Sequence, residues 1–548
     1  MAASSRTTAL DALVASAESL PQADITTDAE LYSRLNVLKK ALTLNSQLRL
    51  RHAGEPARFL QSELSLHEAI RALAPVAVNS QLYPSLVAQG ALPILKSLLQ
   101  HVNEDIVYRV ISFLHDLAAV DDGSDVERDS TRAFYDALLK AGIHEMLSDV
   151  LNDVLFPHIT GTTSDDTTPA QEATAQVFAI FENSIDVRPD LTEAIAVGSK
   201  IVQTCIKHVN IPQPNDAAVE LLAVFLQSST KCKDHFVQND GLNVVLEALV
   251  PFRTHKKQSS SSGDKRNTNS GADEEEMVEN MFGLLCSALF DNPPAKVEFE
   301  RLEGVELMIS FMKTSSAYRG SAAKVCDFAC TGHSTATQRL FMCGGIGVVF
   351  AILMTLGKDR FIGGTRKRTR ALEDDTRNVT EHIFSILFHL FKYASTTDRR
   401  RLLVKLRENR AEKTVKIVSL YRHFALAVEK VSGEQGRYLA VADKDAAAIS
   451  ERESGDDEML VKKLDAGLLI VQMGAAIVAH VVAYGDESLR KATAFMLERV
   501  GLTIAVMCET LQEYAETIGD AARGKERPEA LNEQKRILHL VENIRNSV

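Results

Sequence analysis

A glycine recurs along this chain in one setting: an apolar residue lies four or five positions before it, and an aliphatic-rich helical pattern begins just after it. The setting is found at Gly90, Gly142, Gly241, Gly304 and Gly345, with Gly198 as a weaker member, and the successive spacings of the six are 52, 56, 43, 63 and 41 residues. Because glycine adopts a positive φ readily, it can end one helix and let the next begin at a sharp angle. The alternative is a set of unrelated helix ends in an ordinary all-α protein.

The spacing of these junctions favours one fold class. Self-similarity at about 40–47 residues is typical of armadillo and HEAT repeats. We therefore predict an all-α protein, an armadillo/HEAT-type right-handed α-solenoid with atypical helical caps at its N- and C-terminal ends, because a stack must cover its outermost repeats. Such a stack offers an elongated binding surface rather than a catalytic pocket.

Composition narrows the possible partners. The chain has 548 residues, is 45% hydrophobic and carries a formal charge of −12, so a core is expected and direct, specific nucleic-acid binding is not. Its seven cysteines lie mostly in apolar helical patterns, as buried thiols in a reducing compartment would. The first twenty residues contain no long apolar stretch, so no signal peptide is expected. The apolar stretch Ala466–Ala483 contains Gln472 and His480, which favours a buried helix over a membrane span.

Changes in composition along the chain suggest three parts. Residues 1–80 are predicted to form an N-terminal helical cap, 81–453 the armadillo-like repeats, and 454–548 a C-terminal helical module that follows the acidic loop Ser454–Glu458. Polar insertions interrupt the repeats, and we expect them to be mobile loops because they cannot bury enough apolar surface to fold. They are Asp121–Asp129, Thr160–Pro169, Thr254–Glu276 and Asp359–Arg377.

No pattern for catalysis or cofactor binding is found. The chain lacks a Walker-type phosphate loop, a GxSxG elbow and an HExxH helix, so we predict a protein that is not an enzyme and needs no cofactor. One cluster, Cys326, Cys330, His333 and Cys343, contains ligands that suit zinc. Cys326 and Cys330 are also spaced as buried neighbours on one helix face, and we predict that no metal binds there.

A series of polar residues lies inside apolar runs at similar places in successive helices. Armadillo proteins that bind extended peptides often carry such a ladder of asparagines, with tryptophans one turn earlier. The ladder residues are Asp116, Asn183, Gln227, Ser287 and His389, and small residues stand four positions before each, at Ser112, Ala179, Ala223, Gly283 and Ser385. The ladder groups would hydrogen-bond a peptide backbone, or else bond within the repeats, since buried polar groups need partners. Without tryptophan, the lysine slots of importin-α cannot form.

Helical geometry predicts which other residues share the ladder face. Offsets of seven and eleven residues lie within about 20° of whole turns. They place Asp105 and Arg109 beside Asp116, Glu172 beside Asn183, Glu220 beside Gln227, and Glu276 beside Ser287. The predicted groove is therefore mostly acidic and suits an extended Lys/Arg-rich segment. The alternative is a solvated acidic face without a ligand.

Several stretches, in order along nearly the whole chain, resemble one family. They include NSQLRLRHAGEPARFLQSELSL from Asn45, MVENMFGLLCSAL from Met277, LVKKLDAGLLIVQ from Leu460 and NEQKRILHLVENI from Asn532. These stretches resemble the beta-catenin-like protein 1 family, nuclear armadillo proteins associated with the spliceosomal NineTeen complex. The resemblance implies a non-enzymatic scaffold in pre-mRNA splicing. A transport adaptor of the karyopherin type is the alternative, disfavoured by the missing tryptophans.

The resemblance also implies partners. They are basic, nuclear-signal-like segments of splicing proteins, notably the Myb-related subunit of the NineTeen complex, and in vertebrates an antibody-diversifying cytidine deaminase. A homodimer is possible. Family members carry a long charged N-terminal extension with the nuclear signal, whereas this sequence begins with a short Ser/Ala/Thr segment. We therefore expect nuclear import to depend on Arg366–Arg370 or on a partner, although that basic cluster can also be a solvated loop.

Overall fold

The computed structural model describes residues 24–119, 125–159, 168–209, 216–254, 268–315, 317–356, 370–442, 458–522 and 528–547. Every regular element in these ranges is helical, and no β-strand occurs in them. The all-α prediction is confirmed. The chain divides into two compact units, Met1–Ala248 and Leu249–Val548. The predicted division into a cap, repeats and a C-terminal module, with boundaries after residues 80 and 453, stays a prediction.

The first unit begins with two longer helices and continues with three-helix repeats, in which two short helices are followed by a longer third. Its α-helices are Asp28–Arg51, Leu60–Arg71, Tyr83–Ala88, Ala91–Leu98, Glu104–Ala118, Asp125–Ala141, Ile143–Val150, Phe156–Ile159, Pro169–Val187, Thr192–Gly198, Ile201–Val209, Asp216–Ser228, Thr230–Gln238 and Gly241–Leu249. Short 3-10 turns and one π-helical turn, Leu151–Leu155, connect some of them.

The second unit repeats the pattern and ends in a helical bundle. Its α-helices are Thr268–Leu289, Pro293–Arg301, Gly304–Thr314, Arg319–Cys330, Ser334–Met342, Gly345–Thr355, Arg370–Tyr393, Thr396–Ala442, Glu458–Asp465, Leu468–Tyr484, Glu487–Arg499, Ile504–Ala522 and Pro528–Ser547. The long helix Thr396–Ala442 is interrupted by non-helical residues from Glu408 to Ala411.

The longer third helices form one layer within each unit. In the first unit, Leu60–Arg71 packs on Glu104–Ala118, which packs on Pro169–Val187, which in turn packs on Asp216–Ser228. In the second unit, Thr268–Leu289, Arg319–Cys330, Arg370–Tyr393 and Leu468–Tyr484 follow in the same way. We call these the ladder helices. Large aromatic side chains fill the space between them and their neighbours, and each stabilises the fold by about 1.5–3 kcal/mol through burial; examples are Phe178, Phe225, Phe282 and Phe384.

The recurrent glycines lie between the first and second helix of each repeat, and they have two different structural roles. Where the apolar residue comes four positions earlier, the glycine itself is left-handed: Gly90 has φ 78° and Gly142 has φ 68°. This is the role predicted from the sequence, because a β-carbon is strained in that conformation. Gly198 does not fit it, since the positive φ lies at Lys200.

Where the apolar residue comes five positions earlier, the prediction is wrong in detail. At Gly241, Gly304 and Gly345 the left-handed residue is the one before, namely Asp240, Glu303 or Gly344. The glycine is needed for space instead. A β-carbon on Gly304 would lie 2.5 Å from the buried ring of Phe299, and one on Gly241 would lie 2.3 Å from Phe236. At every junction except the one at Gly198, the left-handed residue therefore follows the apolar residue by four positions.

Basic side chains stabilise the ends of neighbouring helices. Lys96 Nζ donates to the carbonyl of Ala141 at 2.8 Å, and Lys39 Nζ donates to the carbonyl of Gln89 at 3.2 Å. Among the described residues, nine side chains donate to a carbonyl in the last turn or at the cap of another helix in this way: Arg34, Lys39, Lys96, Lys296, Arg319, Arg377, Arg401, Lys416 and Arg536. The terminal carbonyls of a helix are unpaired and partially negative, so a cation there is favourable.

The polar insertions are shorter than predicted. Residues 268–276 begin the helix Thr268–Leu289, residues 370–377 begin Arg370–Tyr393, and residues 125–129 begin Asp125–Ala141. Pro169 also starts a helix, capped by Thr168. Thr254 ends a 3-10 turn, and the remaining parts of the four insertions, and of Ser454–Glu458 apart from Glu458, lie outside the described residues.

The most apolar segment is a core element of the second unit. The helix Leu468–Tyr484 is buried from Ile470 to Val482. No single helix in the described ranges is both long and apolar enough to cross a membrane. Two pairs of helices, each bent at a short break, are long and apolar enough when the two helices are taken together. They are Ser334–Met342 with Gly345–Thr355, and Glu458–Asp465 with Leu468–Tyr484.

Candidate functional site

The four ladder helices that carry the predicted groove residues each leave one stripe of side chains open to solvent, and those residues lie on these stripes. On Glu104–Ala118, Asp105 and Asp116 are exposed while the opposite faces are buried. The two acids are three helical turns apart, so they share the stripe, as the eleven-residue offset predicts. Arg109 lies between them, and its Nε donates to His67 Nε2 at 3.1 Å.

The helix Pro169–Val187 places more carboxylates on its stripe than were predicted. Glu172 is exposed and Asn183 is half-buried, so both predicted residues are reachable from solvent. Glu182, half-buried, and Asp186, exposed, lie on the same side of the helix. The sequence reasoning passed over Glu182 because it selected one polar residue per run, although Glu182 stands directly before Asn183.

The next ladder helix of the first unit, Asp216–Ser228, continues the pattern. Glu220 and Gln227 are exposed, and Ala223 between them is half-buried. Because Pro169–Val187 packs against both Glu104–Ala118 and Asp216–Ser228, the three stripes belong to successive helices of one layer. We call the six carboxylates on them the acidic strip: Asp105, Asp116, Glu172, Glu182, Asp186 and Glu220.

The electrostatics of Glu182 show that carboxylates of two helices lie close together. Partial burial raises the pKa of Glu182, and the charges of Glu220 and Asp186 raise it further. Among the described residues, no Lys or Arg nitrogen lies within salt-bridge distance of Asp105, Glu172 or Glu182. A cation brought to this position would relieve the repulsion and lower the pKa of Glu182.

In the second unit, two further predicted residues lie on the ladder helix Thr268–Leu289. Glu276 is exposed and Ser287 is half-buried, with half-buried Gly283 between them. The neighbouring Glu279 accepts hydrogen bonds from Ser321 Oγ at 2.6 and 2.9 Å, which ties this helix to Arg319–Cys330. The sequence reasoning did not assign Arg319–Cys330 to the ladder, because no polar residue stood at the expected place in its apolar run.

His389 is not part of an open groove. It is 6% exposed, its Nε2 lies 3.3 Å from Thr331 Oγ1, and its ring stacks on Tyr393. Burial lowers the pKa of His389 to about 3, so the ring is neutral. Ser385, one turn earlier, is buried as well. For this residue the alternative holds, and the polar group bonds within the repeats.

The residues of the sequence cluster Cys326, Cys330, His333 and Cys343 have separate surroundings in the structure. Cys326 and Cys330 are fully buried free thiols, and a hydrogen bond joins their side chains. The ring of His333 caps the helix Ser334–Met342 by accepting from the Ala336 N–H at 3.3 Å. Cys343 is exposed and donates to Glu306 Oε1 at 3.4 Å. Within the described ranges, no three His, Cys, Asp or Glu side chains are grouped to hold a metal ion.

Comparison with known proteins adds a family to this geometry. Residues 8–512 match the model of a family described as "Catenin-beta-like, Arm-motif containing nuclear". The chain is 30% identical over 516 residues to beta-catenin-like protein 1 of Homo sapiens and to that of Mus musculus, and each alignment covers 91% of this chain and 83% of the relative.

More distant similarities span as much of the chain. The beta-catenin-like protein 1 homolog of Schizosaccharomyces pombe is 25% identical over 520 residues, covering 93% of this chain and 83% of the homolog. Among solved structures, an engineered protein superposes with a TM-score of 0.38 at 15% identity, covering 87% of this chain and 95% of that protein.

Proposed function

The chain belongs to the catenin-beta-like family of armadillo-motif nuclear proteins, and we propose that it is a non-enzymatic scaffold that binds basic segments of partner proteins. The observation that supports this most is the acidic strip, where six carboxylates lie on the solvent stripes of three successive ladder helices. Asn183 and Gln227 stand on the same stripes and supply amides for the ligand's backbone. Glu276 and Ser287, within the second unit, are proposed as separate contacts for a partner.

The ligand suited to the strip is an extended Lys/Arg-rich segment. Its side chains would neutralise carboxylates of the strip, of which Asp105, Glu172 and Glu182 have no Lys or Arg partner among the described residues, and its backbone would bond to the amides of Asn183 and Gln227. Affinity that comes from accessible charges is screened by salt, so binding should be modest and salt-sensitive. Arg109 does not cancel the strip, because one cation faces six carboxylates.

We further propose that these basic segments belong to the pre-mRNA splicing machinery. The support is the resemblance of the chain to the beta-catenin-like protein 1 family, which implies the Myb-related subunit of the NineTeen complex as a partner. The proposed import signal, Arg366–Arg370, lies outside the described residues except for Arg370, which begins the helix Arg370–Tyr393. Import through this cluster, or on a partner, stays a proposal.

Charge reversal on the strip tests the binding function. Glu172→Lys combined with Glu220→Lys should weaken binding of a fluorescein-labelled octapeptide of Lys and Arg at least tenfold at 50 mM salt, because each change replaces an attraction by a repulsion. The difference between parent and variant should shrink at 500 mM salt. Fluorescence anisotropy with the full chain measures both, and the Myb-related subunit is then tested with the same proteins.

A matched control separates the strip from overall charge. Glu145→Lys combined with Glu247→Lys makes the same change in net charge at exposed positions on second helices of the repeats, outside the strip. This control pair should bind the octapeptide within about threefold of the parent, by the residual long-range effect alone. If the strip pair binds as tightly as the parent at low salt, or no more weakly than the control pair, the groove assignment is wrong.

A further inference from the structure

Two buried histidines pack against the helix Pro169–Val187. His144 lies on the helix Ile143–Val150 and is 1% exposed, and His208 lies on Ile201–Val209 and is 0% exposed. Both rings contact aromatic side chains of Pro169–Val187, which carries three of the six carboxylates of the acidic strip. Because neither histidine reaches solvent, the binding function proposed above does not account for them.

The hydrogen bonds of His144 show that its ring is neutral. Ser184 Oγ donates to the Ile180 carbonyl at 2.6 Å, so it offers a lone pair to His144 Nε2, which lies 3.0 Å away. His144 Nε2 therefore carries the proton, and the buried Nδ1 has no partner among the described residues. The ring also packs on Phe181, with centroids 5.4 Å apart. A second proton, on Nδ1, would have no acceptor.

His208 is packed against two phenyl rings. Its centroid lies 5.0 Å from that of Phe156 and 5.6 Å from that of Phe178, and both contacts are edge-on. Both ring nitrogens of His208 are buried, and neither has a hydrogen-bond partner in the described ranges. A protonated ring here would lose its hydration and find no acceptor for its two N–H groups, which is strongly unfavourable. The attraction of the cation to the phenyl rings offsets only part of this loss.

The surroundings favour the neutral form of both rings. Burial lowers the pKa of His144 to about 4. Burial, and then the charge of Lys207, lower the pKa of His208 to about 4. Charged groups on or beside the packed helices are engaged elsewhere: Lys200 pairs with Asp149 at 3.1 Å, Lys96 donates to the Ala141 carbonyl, and Glu182 and Glu220 lie on the solvent stripes.

We propose that His144 and His208 form an acid-sensitive brace, which holds the helix Pro169–Val187 in place only while both rings are neutral. When the helix detaches, the rings regain the ordinary histidine pKa of 6.5 and bind protons that they cannot bind when packed. The stabilisation is therefore complete well above pH 6.5 and is lost progressively as the pH falls towards 4. Between pH 7.5 and pH 5, each ring should shift the equilibrium towards the detached helix about thirtyfold. The brace does not depend on what the acidic strip binds.

Hydrogen–deuterium exchange on the full chain tests the brace. The double variant His144→Gln with His208→Leu removes both titrating rings, while glutamine keeps an uncharged donor for Ser184 and leucine keeps an apolar side chain against the phenyl rings. From pH 7.5 to pH 5, the protection factors of the amides in Pro169–Val187 should fall at least thirtyfold more in the parent than in the double variant. Each single variant should differ from the parent at least fivefold in the same way, so the test does not depend on the double variant folding. His539→Gln, at an exposed histidine of the last helix, should behave like the parent.

Two outcomes would overturn the proposal. The first is an equal loss of protection on acidification in the parent and in the folded variants. A variant that is merely less stable loses protection at both pH values, so the comparison between pH values separates that effect from the brace. The second is a difference between parent and variants that appears to the same extent in Leu468–Tyr484 of the second unit, which would show an effect on the whole chain rather than on one helix.

Discussion

At the scale of single residues, each repeat junction depends on an apolar residue and on the left-handed residue four positions after it. Leu86 and Leu138 are followed at that distance by a left-handed glycine, whereas Phe236, Phe299 and Leu340 are followed there by Asp240, Glu303 and Gly344. In the second group the next residue must be glycine because the apolar side chain occupies the space of its β-carbon. The positions of all the junctions could be predicted from the sequence. The two roles could not, because they depend on the packing of one ring.

Gly304→Ala tests the packing role. The added carbon would meet the Phe299 ring, which is fully buried and cannot move aside, so we expect a loss of about 1–3 kcal/mol in the free energy of unfolding, as for other overpacked sites. Gly347→Ala is the matched control: it lies in the helix Gly345–Thr355 and has open space around it. Alanine there should stabilise by about 0.5–1 kcal/mol. Urea denaturation measures both, and equal effects would contradict the packing role.

At the scale of helices, the charge pattern follows from how cations are used. Among the described residues, nine Lys and Arg side chains donate to the ends of neighbouring helices and so stabilise the contacts between helices. The solvent stripes of the three helices that form the acidic strip carry six acids and Arg109. The offsets of seven and eleven residues were enough to place Asp105, Glu172 and Glu220 on those stripes. They could not show that His389 is buried, because its surroundings come from Thr331 and Tyr393 on other parts of the fold.

Lys96→Met tests the helix-end contacts. The change keeps the length of the side chain but removes the charged donor to the Ala141 carbonyl, so we expect a loss of about 1.5–3 kcal/mol. Lys140→Met is the control, because Lys140 is exposed and lies in the last turn of Asp125–Ala141, the helix whose end Lys96 contacts. It should cost about 0.3–1 kcal/mol, the value of an exposed charge near a helix end. Thermal unfolding of both variants would refute the claim if Lys96→Met were the milder change.

At the scale of the whole molecule, the chain consists of two compact units, and the acidic strip lies within the first of them. The strip suits basic segments of a partner protein. The sequence predicted the strip in outline because helical periodicity determines it. It could not predict the raised pKa of Glu182, which depends on the charge of Glu220 on the neighbouring helix.

The central claim is that basic segments bind along the acidic strip, and site-specific crosslinking tests it most directly. The photoreactive residue benzoylphenylalanine is introduced at Gln176, which lies on the stripe between Glu172 and Glu182, or at the exposed Ser97, which lies on a second helix outside the ladder layer. After irradiation with the labelled Lys/Arg octapeptide at 50 mM salt, the Gln176 protein should be crosslinked and the Ser97 protein should not. High salt should abolish the product. Equal crosslinking from both positions, or crosslinking from Ser97 alone, would contradict the account.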